Sequence, residues 1–115
     1  MKLSRTDAEQ RLKSLKGWTL EADAIKKQFT FAGFPEAIAF VNRLVPEAEA
    51  ADHHPDILIN YKRVTLTYST HDEGGLTEKD FAGAAMADRA AYAAKRAGGN
   101  RCVGANSDEA ARLIV

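Results

Sequence analysis

Three histidines, His53, His54 and His71, are the side chains of this sequence best suited to proton transfer at neutral pH. They lie close together in the chain, and the carboxylates of Glu49 and Asp80 flank them. Histidine has an unperturbed pKa near neutrality, and for that reason it is the usual general acid or base there. The pattern therefore indicates acid–base chemistry, with two carboxylates available to orient or charge an imidazole.

The proline after the histidine pair limits the local backbone. Pro55 disfavours helical geometry at His54, so a helix that includes Glu49 is predicted to end near His53. Both imidazoles then lie at a corner between a helix and a strand, and Glu49 shares a helical face with His53. His71 follows a predicted strand, so we expect the paired strands to bring it back beside the other two imidazoles in one cleft.

Zinc binding is the main alternative use of three histidines, because zinc accepts three imidazoles and a water molecule. Successive side chains diverge in extended backbone, so His53 and His54 are poorly placed to bind one ion. The sequence has no His-x-His or His-x3-His spacing, and Cys102 is its one cysteine. We therefore expect no metal ion, and we interpret Cys102 as a structural or incidental thiol.

The composition is that of a single globular domain over residues 1–115. Basic and acidic residues number 16 each, so there is no basic excess of the kind that binds nucleic acid. The apolar runs are too short to span a membrane, and no secretory leader is visible at the N-terminus. We expect a cytoplasmic protein that binds neither nucleic acid nor membrane.

Hydrophobic periodicity predicts elements in the order α-β-β-α-β-β-α. The expected bounds are residues 4–15, 18–21, 24–32, 34 to about 52, 57–61, 63–69, and 77 to about 96. Antiparallel strand pairs with helices collected on one side indicate an α+β fold, a four-stranded antiparallel sheet with three helices packed on one face. Asp80 would then occupy the first turn of the last helix, where a carboxylate also has a purely structural capping role.

Three local features modify this plan. Pro46 removes a backbone hydrogen bond within the second helix, so a kink or local break is predicted there. The last helix is rich in alanine, which favours packing against a sheet or a second subunit, and Gly98-Gly99-Asn100 is expected to end it. From about residue 100 the sequence is an atypical tail, in which residues 107–114 could begin a brief helix.

The candidate site residues have a definite spacing in the chain: Glu49, His53-His54-Pro55, Tyr61, Thr70-His71 and Asp80. This spacing closely resembles the signature of the pterin-4a-carbinolamine dehydratases, also called 4a-hydroxytetrahydrobiopterin dehydratases. The resemblance extends from about Leu12 to about Lys95 and includes Gly17-Trp18 and the segments 25–31 and 75–80. It implies a four-stranded antiparallel sheet covered on one side by helices. It also implies a homodimer or homotetramer, assembled through sheet edges and helices.

The activity that the resemblance implies is the loss of water from 4a-hydroxytetrahydrobiopterin, which gives quinonoid dihydropterin and serves tetrahydrobiopterin recycling. The reaction needs an acid for the leaving hydroxyl and a base for a ring-nitrogen proton, and it requires no metal or organic cofactor. By the resemblance, the three histidines are the acid–base set, Asp80 orients or charges His71, and Glu49 has a supporting role. The expected pterin contacts are Glu49, His53, His54, Pro55, Tyr61, Thr70, His71, Asp72 and Glu73.

One departure and two alternatives accompany this reading. Family members commonly have an aromatic residue shortly after His-His-Pro, and Ile57 and Leu58 occupy that stretch here, so pterin stacking is expected to be weaker or supplied elsewhere. Some animal members stabilise a transcription-factor dimer, which makes a dimerisation or binding module the first alternative. A relative that acts on another pterin, such as one linked to molybdenum cofactor, is the second.

Overall fold

The computed structural model describes the backbone of residues 2–100 and the side chains of residues 2–96. Its elements are α1 (Arg5–Leu12), β1 (Thr19–Glu21), β2 (Ala24–Thr30), α2 (Phe34–Ala51), β3 (Asp56–Asn60), β4 (Arg63–Tyr68) and α3 (Glu78–Asn100). A single 3-10 turn, His71–Glu73, lies between β4 and α3. The predicted order α-β-β-α-β-β-α is confirmed.

The four strands form one antiparallel sheet in the order β1-β2-β4-β3. In β4, Val64, Leu66 and Tyr68 are buried, and the residues between them are less so, which is the alternation of a sheet with one covered face. Ile25 and Phe29 of β2 show the same alternation. The predicted α+β class is confirmed. The strand order places β3 at one edge of the sheet.

Helices α2 and α3 pack against each other and over β4. Helix α2 contributes Phe40 and Leu44 to the core, and α3 contributes only small residues along most of its length. The buried alanines of α3 recur at helical spacing: Ala84, Ala87, Ala91 and Ala94. Within one chain, therefore, the alanine-rich face of α3 is already used for core packing.

Two details differ from the sequence-based expectation. Helix α2 is continuous through Pro46, so the predicted local break is absent, and the residues that pack into the core lie on both sides of the proline, at Leu44 and Ala48. Helix α3 is described as far as Asn100, four residues beyond the predicted end near Arg96 and at the last residue of the predicted stop Gly98-Gly99-Asn100. Cys102 and the brief helix expected over residues 107–114 lie outside the described residues.

No helix in the described part of the chain is both long enough and apolar enough to cross a membrane.

Candidate functional site

The corner that carries the histidine pair is formed by the end of α2. Asp52 adopts left-handed backbone geometry, with φ of 51°, a conformation that aspartate tolerates better than most residues. Its N–H and that of His53 donate to the carbonyls of the last helical turn, at Glu49 and Ala48. The chain therefore turns sharply after α2 and directs His53 inward, toward the first turn of α3.

The centre of the site is Asp80, whose side chain is 0% exposed. Its Oδ1 lies 2.6 Å from His53 Nε2. Its Oδ2 accepts hydrogen bonds from the Thr70 hydroxyl at 2.7 Å and from the Thr77 N–H at 2.9 Å. With Asp80 ionised, its carboxylate only accepts, which assigns the shared proton to His53 Nε2 and leaves the lone pair of a neutral ring on Nδ1.

Asp80 also has the structural role that its position in the sequence suggested. The Thr77 N–H donates to Asp80, and the Thr77 hydroxyl accepts from the Lys79 N–H at 3.2 Å, which is the reciprocal pattern of a helix-capping box. One carboxylate thus fixes the start of α3 and orients an imidazole. A histidine held in one tautomer by a buried carboxylate is a common arrangement for general acid–base catalysis.

The partner of Asp80 differs from the expected one, because the structure pairs it with His53 and not with His71. Thr70 has extended backbone geometry and directs its hydroxyl at Asp80. The next residue, His71, begins the 3-10 turn, and no hydrogen bond between its imidazole and Asp80 is found among the described residues. The imidazole that Asp80 contacts is therefore that of His53, and the expectation that Asp80 orients or charges His71 stays a prediction.

Glu49 is the partner of His54. Its Oε2 lies 2.6 Å from His54 Nε2, and both side chains are more than half exposed. We expected Glu49 to share a face with His53, but the left-handed turn at Asp52 takes His53 off that face. An exposed pair of this kind contributes at most about 1 kcal/mol to stability, so Glu49 orients His54 without holding the fold.

His71 lies in the exposed 3-10 turn together with Asp72 and Glu73. Its carbonyl accepts a hydrogen bond from the Gly74 N–H at 3.0 Å. Among the contacts of residues 2–96, none is a hydrogen bond or ion pair of the His71 imidazole. His71 is therefore an exposed residue that directly follows Thr70, a hydrogen-bond partner of Asp80.

Tyr61 lies away from the histidines within one chain. It is 68% exposed at the turn between β3 and β4, with φ of 56°. His54 and Pro55 precede the other end of β3, and the intervening strand of five residues separates the two ends by roughly 16 Å. Within a single chain the hairpin therefore places Tyr61 at the far end of β3 from His54, and its expected contact with the pterin stays a prediction.

Tyr68 is a site residue that the sequence did not reveal. Its ring, buried in β4, stacks on the His53 imidazole with centroids 5.9 Å apart and planes inclined by 26°. Burial, together with the nearby charge of Asp80, raises the pKa of Tyr68 to about 12, so the phenol is neutral at physiological pH. In the sequence it is one more alternating strand residue, and only the packing of α3 on β4 shows its contact with His53.

The Tyr68 ring occupies space that Gly83 leaves open, since a Cβ at Gly83 would lie 2.6 Å from Tyr68 Cε1. We expect Gly83→Ala to lower the free energy of unfolding by about 1–2 kcal/mol, net of the higher helix propensity of alanine. Urea unfolding measures this loss. In a Tyr68→Leu background the same change should cost nothing, because the shorter side chain leaves room. An equal cost in both backgrounds would rule out the steric explanation.

Two clefts flank the Asp80 network. The loop cleft, of about 510 Å³, has walls that include Thr70, Asp72, Glu73, Thr77 and Lys79. The helix cleft, of about 260 Å³, lies between α2 and α3, and its walls include Glu47, His53, Lys79, Met86 and Arg89. Lys79 lines both clefts, and neither is lined by His54 or His71. The single cleft expected to hold three imidazoles is therefore not formed by either of them.

The described residues contain no group of three or more histidine, cysteine, aspartate or glutamate side chains arranged to hold a metal ion.

Comparison with protein families gives one match that spans most of the chain. The family model described as pterin 4 alpha carbinolamine dehydratase matches residues 1–90. A protein of Roseiflexus castenholzii that provisionally carries the same name is 52% identical over 86 residues, which are 75% of this chain and 92% of that protein. The family match covers α1 to β4, the first part of α3 and all the candidate site residues.

Two solved structures are similar to this fold. The crystal structure of a transcriptional coactivator/pterin dehydratase from Brucella melitensis superposes with a TM-score of 0.77 and 33% identity, covering 79% of this chain and 99% of that one. A pterin dehydratase-like protein identified as a RuBisCO assembly factor in the alpha-carboxysome gives a TM-score of 0.54 and 25% identity, over 64% and 86% of the two chains.

Proposed function

Since this chain belongs to the pterin-4a-carbinolamine dehydratase family, we propose that it is a hydro-lyase that converts 4a-hydroxytetrahydrobiopterin to quinonoid dihydropterin. The observation that carries the proposal is the buried pair of His53 and Asp80, at 2.6 Å. It supplies an imidazole whose tautomer is set and whose other nitrogen is available to exchange a proton with a ligand.

Dehydration at the 4a carbon moves two protons. One is donated to the leaving hydroxyl, which departs as water, and the other is taken from a ring nitrogen as the new double bond forms. Imidazoles perform both transfers near neutral pH. In our proposal His53, His54 and His71 share these transfers, with His53 oriented by Asp80 and His54 by Glu49.

The proposed position of the pterin ring is the rim shared by the two clefts, where Lys79 lines both. The pyrimidine edge of a pterin carries adjacent N–H donors, and carboxylates accept such donors in bidentate fashion. Asp72 and Glu73 line the loop cleft and have this chemistry. Pro55, Thr70 and the three histidines complete the proposed contacts.

The proposed chemistry runs without a metal ion, so a chelator should leave it intact. The test follows the formation of quinonoid dihydropterin from 4a-hydroxytetrahydrobiopterin by the purified chain, before and after treatment with EDTA. We expect equal rates, well above that of the uncatalysed reaction, and no gain from added zinc. Loss of activity with EDTA and its return with zinc would refute the mechanism.

A binding module is the second candidate function, and exposed apolar residues on β3 favour it. Ile57 and Leu58 are 40% and 58% exposed on this edge strand, where unpaired backbone groups can pair with another chain.

In our proposal the strand joins two copies as a homodimer, and a tetramer would use helical surfaces. Antiparallel pairing centred on Leu58 would bring Tyr61 of one copy near Pro55 of the other, which restores a site role for Tyr61.

Measuring turnover and partner binding by the same purified chain distinguishes the two candidate functions. A dehydratase turns over 4a-hydroxytetrahydrobiopterin as the isolated chain. A binding module gives no turnover and retains a protein partner in a pull-down. A relative that acts on another pterin would dehydrate the biopterin compound slowly and a different 4a-hydroxypterin faster.

A further inference from the structure

The helix cleft is lined by small or apolar residues and has a charged rim. The small or apolar residues belong to α2 and α3: Ala51, Ala82, Gly83 and Met86. The rim carries the cations Lys79 and Arg89 of α3 and one carboxylate, that of Glu47 of α2. His53 forms one wall, so a ligand group in this cleft lies directly beside the proposed catalytic imidazole.

The two rim cations form no ion pair in the part of the chain that the structure describes. The side chains of Lys79 and Arg89 are both exposed. Among the residues that line the cleft there are two cations and one carboxylate, and the buried carboxylate of Asp80 lies behind His53, so the exposed mouth of the cleft is its cationic part. Such a cleft attracts anions and disfavours cations.

We propose that the helix cleft binds an anionic substituent on the side chain of the pterin, a phosphate monoester or a carboxylate. The inference rests on the proposed function, since it takes the ligand ring to be a pterin held beside His53. The ring lies on the rim that the clefts share at Lys79, and its side chain extends along α3 toward Arg89. Arginine holds phosphate and carboxylate in a bidentate manner, which gives the cleft its selectivity.

The test compares two ligands that share a ring and differ only in charge: 6-hydroxymethylpterin and its phosphate monoester. Quenching of pterin fluorescence by the full chain gives both dissociation constants. We expect the phosphate ester to bind at least about tenfold more tightly at low salt, the scale of one charge-assisted hydrogen bond. The difference should shrink as ionic strength rises, because the rim is open to solvent.

Arg89→Gln is the informative variant, and Arg43→Gln is its matched control on α2, also exposed but outside both clefts. We expect the preference for phosphate to fall about tenfold in the first and to persist in the second. Equal affinity for the two pterins, or a preference that survives Arg89→Gln, would overturn the inference. Because the experiment measures binding, this inference can fail while the proposed dehydratase activity stands. If the chain turns over 4a-hydroxytetrahydrobiopterin but does not prefer the phosphate ester, only the inference about the helix cleft is refuted.

Discussion

Replacement of His53 by alanine is expected to lower kcat for 4a-hydroxytetrahydrobiopterin by roughly 10²-fold or more, the usual contribution of a positioned acid or base. The imidazole is the only titratable group that both contacts Asp80 and lines the helix cleft in the described part of the chain. Removing it leaves the proposed proton transfer without its donor or acceptor. KM should change less than kcat, because Asp72 and Glu73 are proposed to hold the pyrimidine edge of the ring and both remain in this variant.

The matched control is Asp52→Asn, one residue earlier in the chain. Asparagine tolerates the left-handed backbone at this position, so the turn after α2 keeps its shape and kcat should stay near the wild-type value. His54→Ala is expected to lower kcat on the same scale as His53→Ala. Near-wild-type turnover of both histidine variants would reject the assignment of these imidazoles.

Asp80 can be tested by two substitutions that separate its structural role from its chemical one. In Asp80→Asn, the amide oxygen can still accept from Thr70 and Thr77, and the amide nitrogen faces His53. His53 must then present a lone pair at Nε2 and move its proton to Nδ1. We expect a fold close to the wild type in stability and a loss of about 10²–10⁴-fold in kcat, the effect of a wrong tautomer.

Asp80→Ala removes the acceptor for all three donors at a site that is 0% exposed. Buried donors left without partners are costly, so the free energy of unfolding should fall by about 3–5 kcal/mol. Chemical denaturation measures this loss. The exposed ion-pair variant Glu9→Ala, which ends the Arg5–Glu9 contact, should cost less than about 1 kcal/mol. Similar losses in the two variants would contradict the buried network.

The architecture could be predicted from the sequence because its signals are local. Alternating apolar residues specify β2 and β4, helical periodicity specifies α2, and Pro55 sets the corner after the histidine pair. The local alanine pattern of α3 likewise anticipated a close-packed helix. Errors at helix interiors and ends, such as Pro46, arose where tertiary packing outweighs the intrinsic preference of one residue.

The sequence indicated which residues are candidates for the site, and their roles stay predictions, but it did not indicate which of them pair in the structure. Whether Asp80 meets His53 or His71 depends on the single left-handed residue Asp52 and on which way Thr70 points. Each of these is the backbone geometry of one residue, and neither produces a periodic pattern in the sequence. The role of Tyr68 depends on the packing of Gly83 against it, a contact between elements that no spacing in the sequence encodes.

The most direct test of our account is heteronuclear NMR of the three imidazoles during titration with a stable dihydropterin. We expect the free protein to carry a proton on His53 Nε2, shared with Asp80, and the resonances of His53 to shift saturably as the pterin binds. A pterin that binds without moving the His53 resonances, or a His53 that carries its proton on Nδ1 with Nε2 unprotonated, would contradict the account.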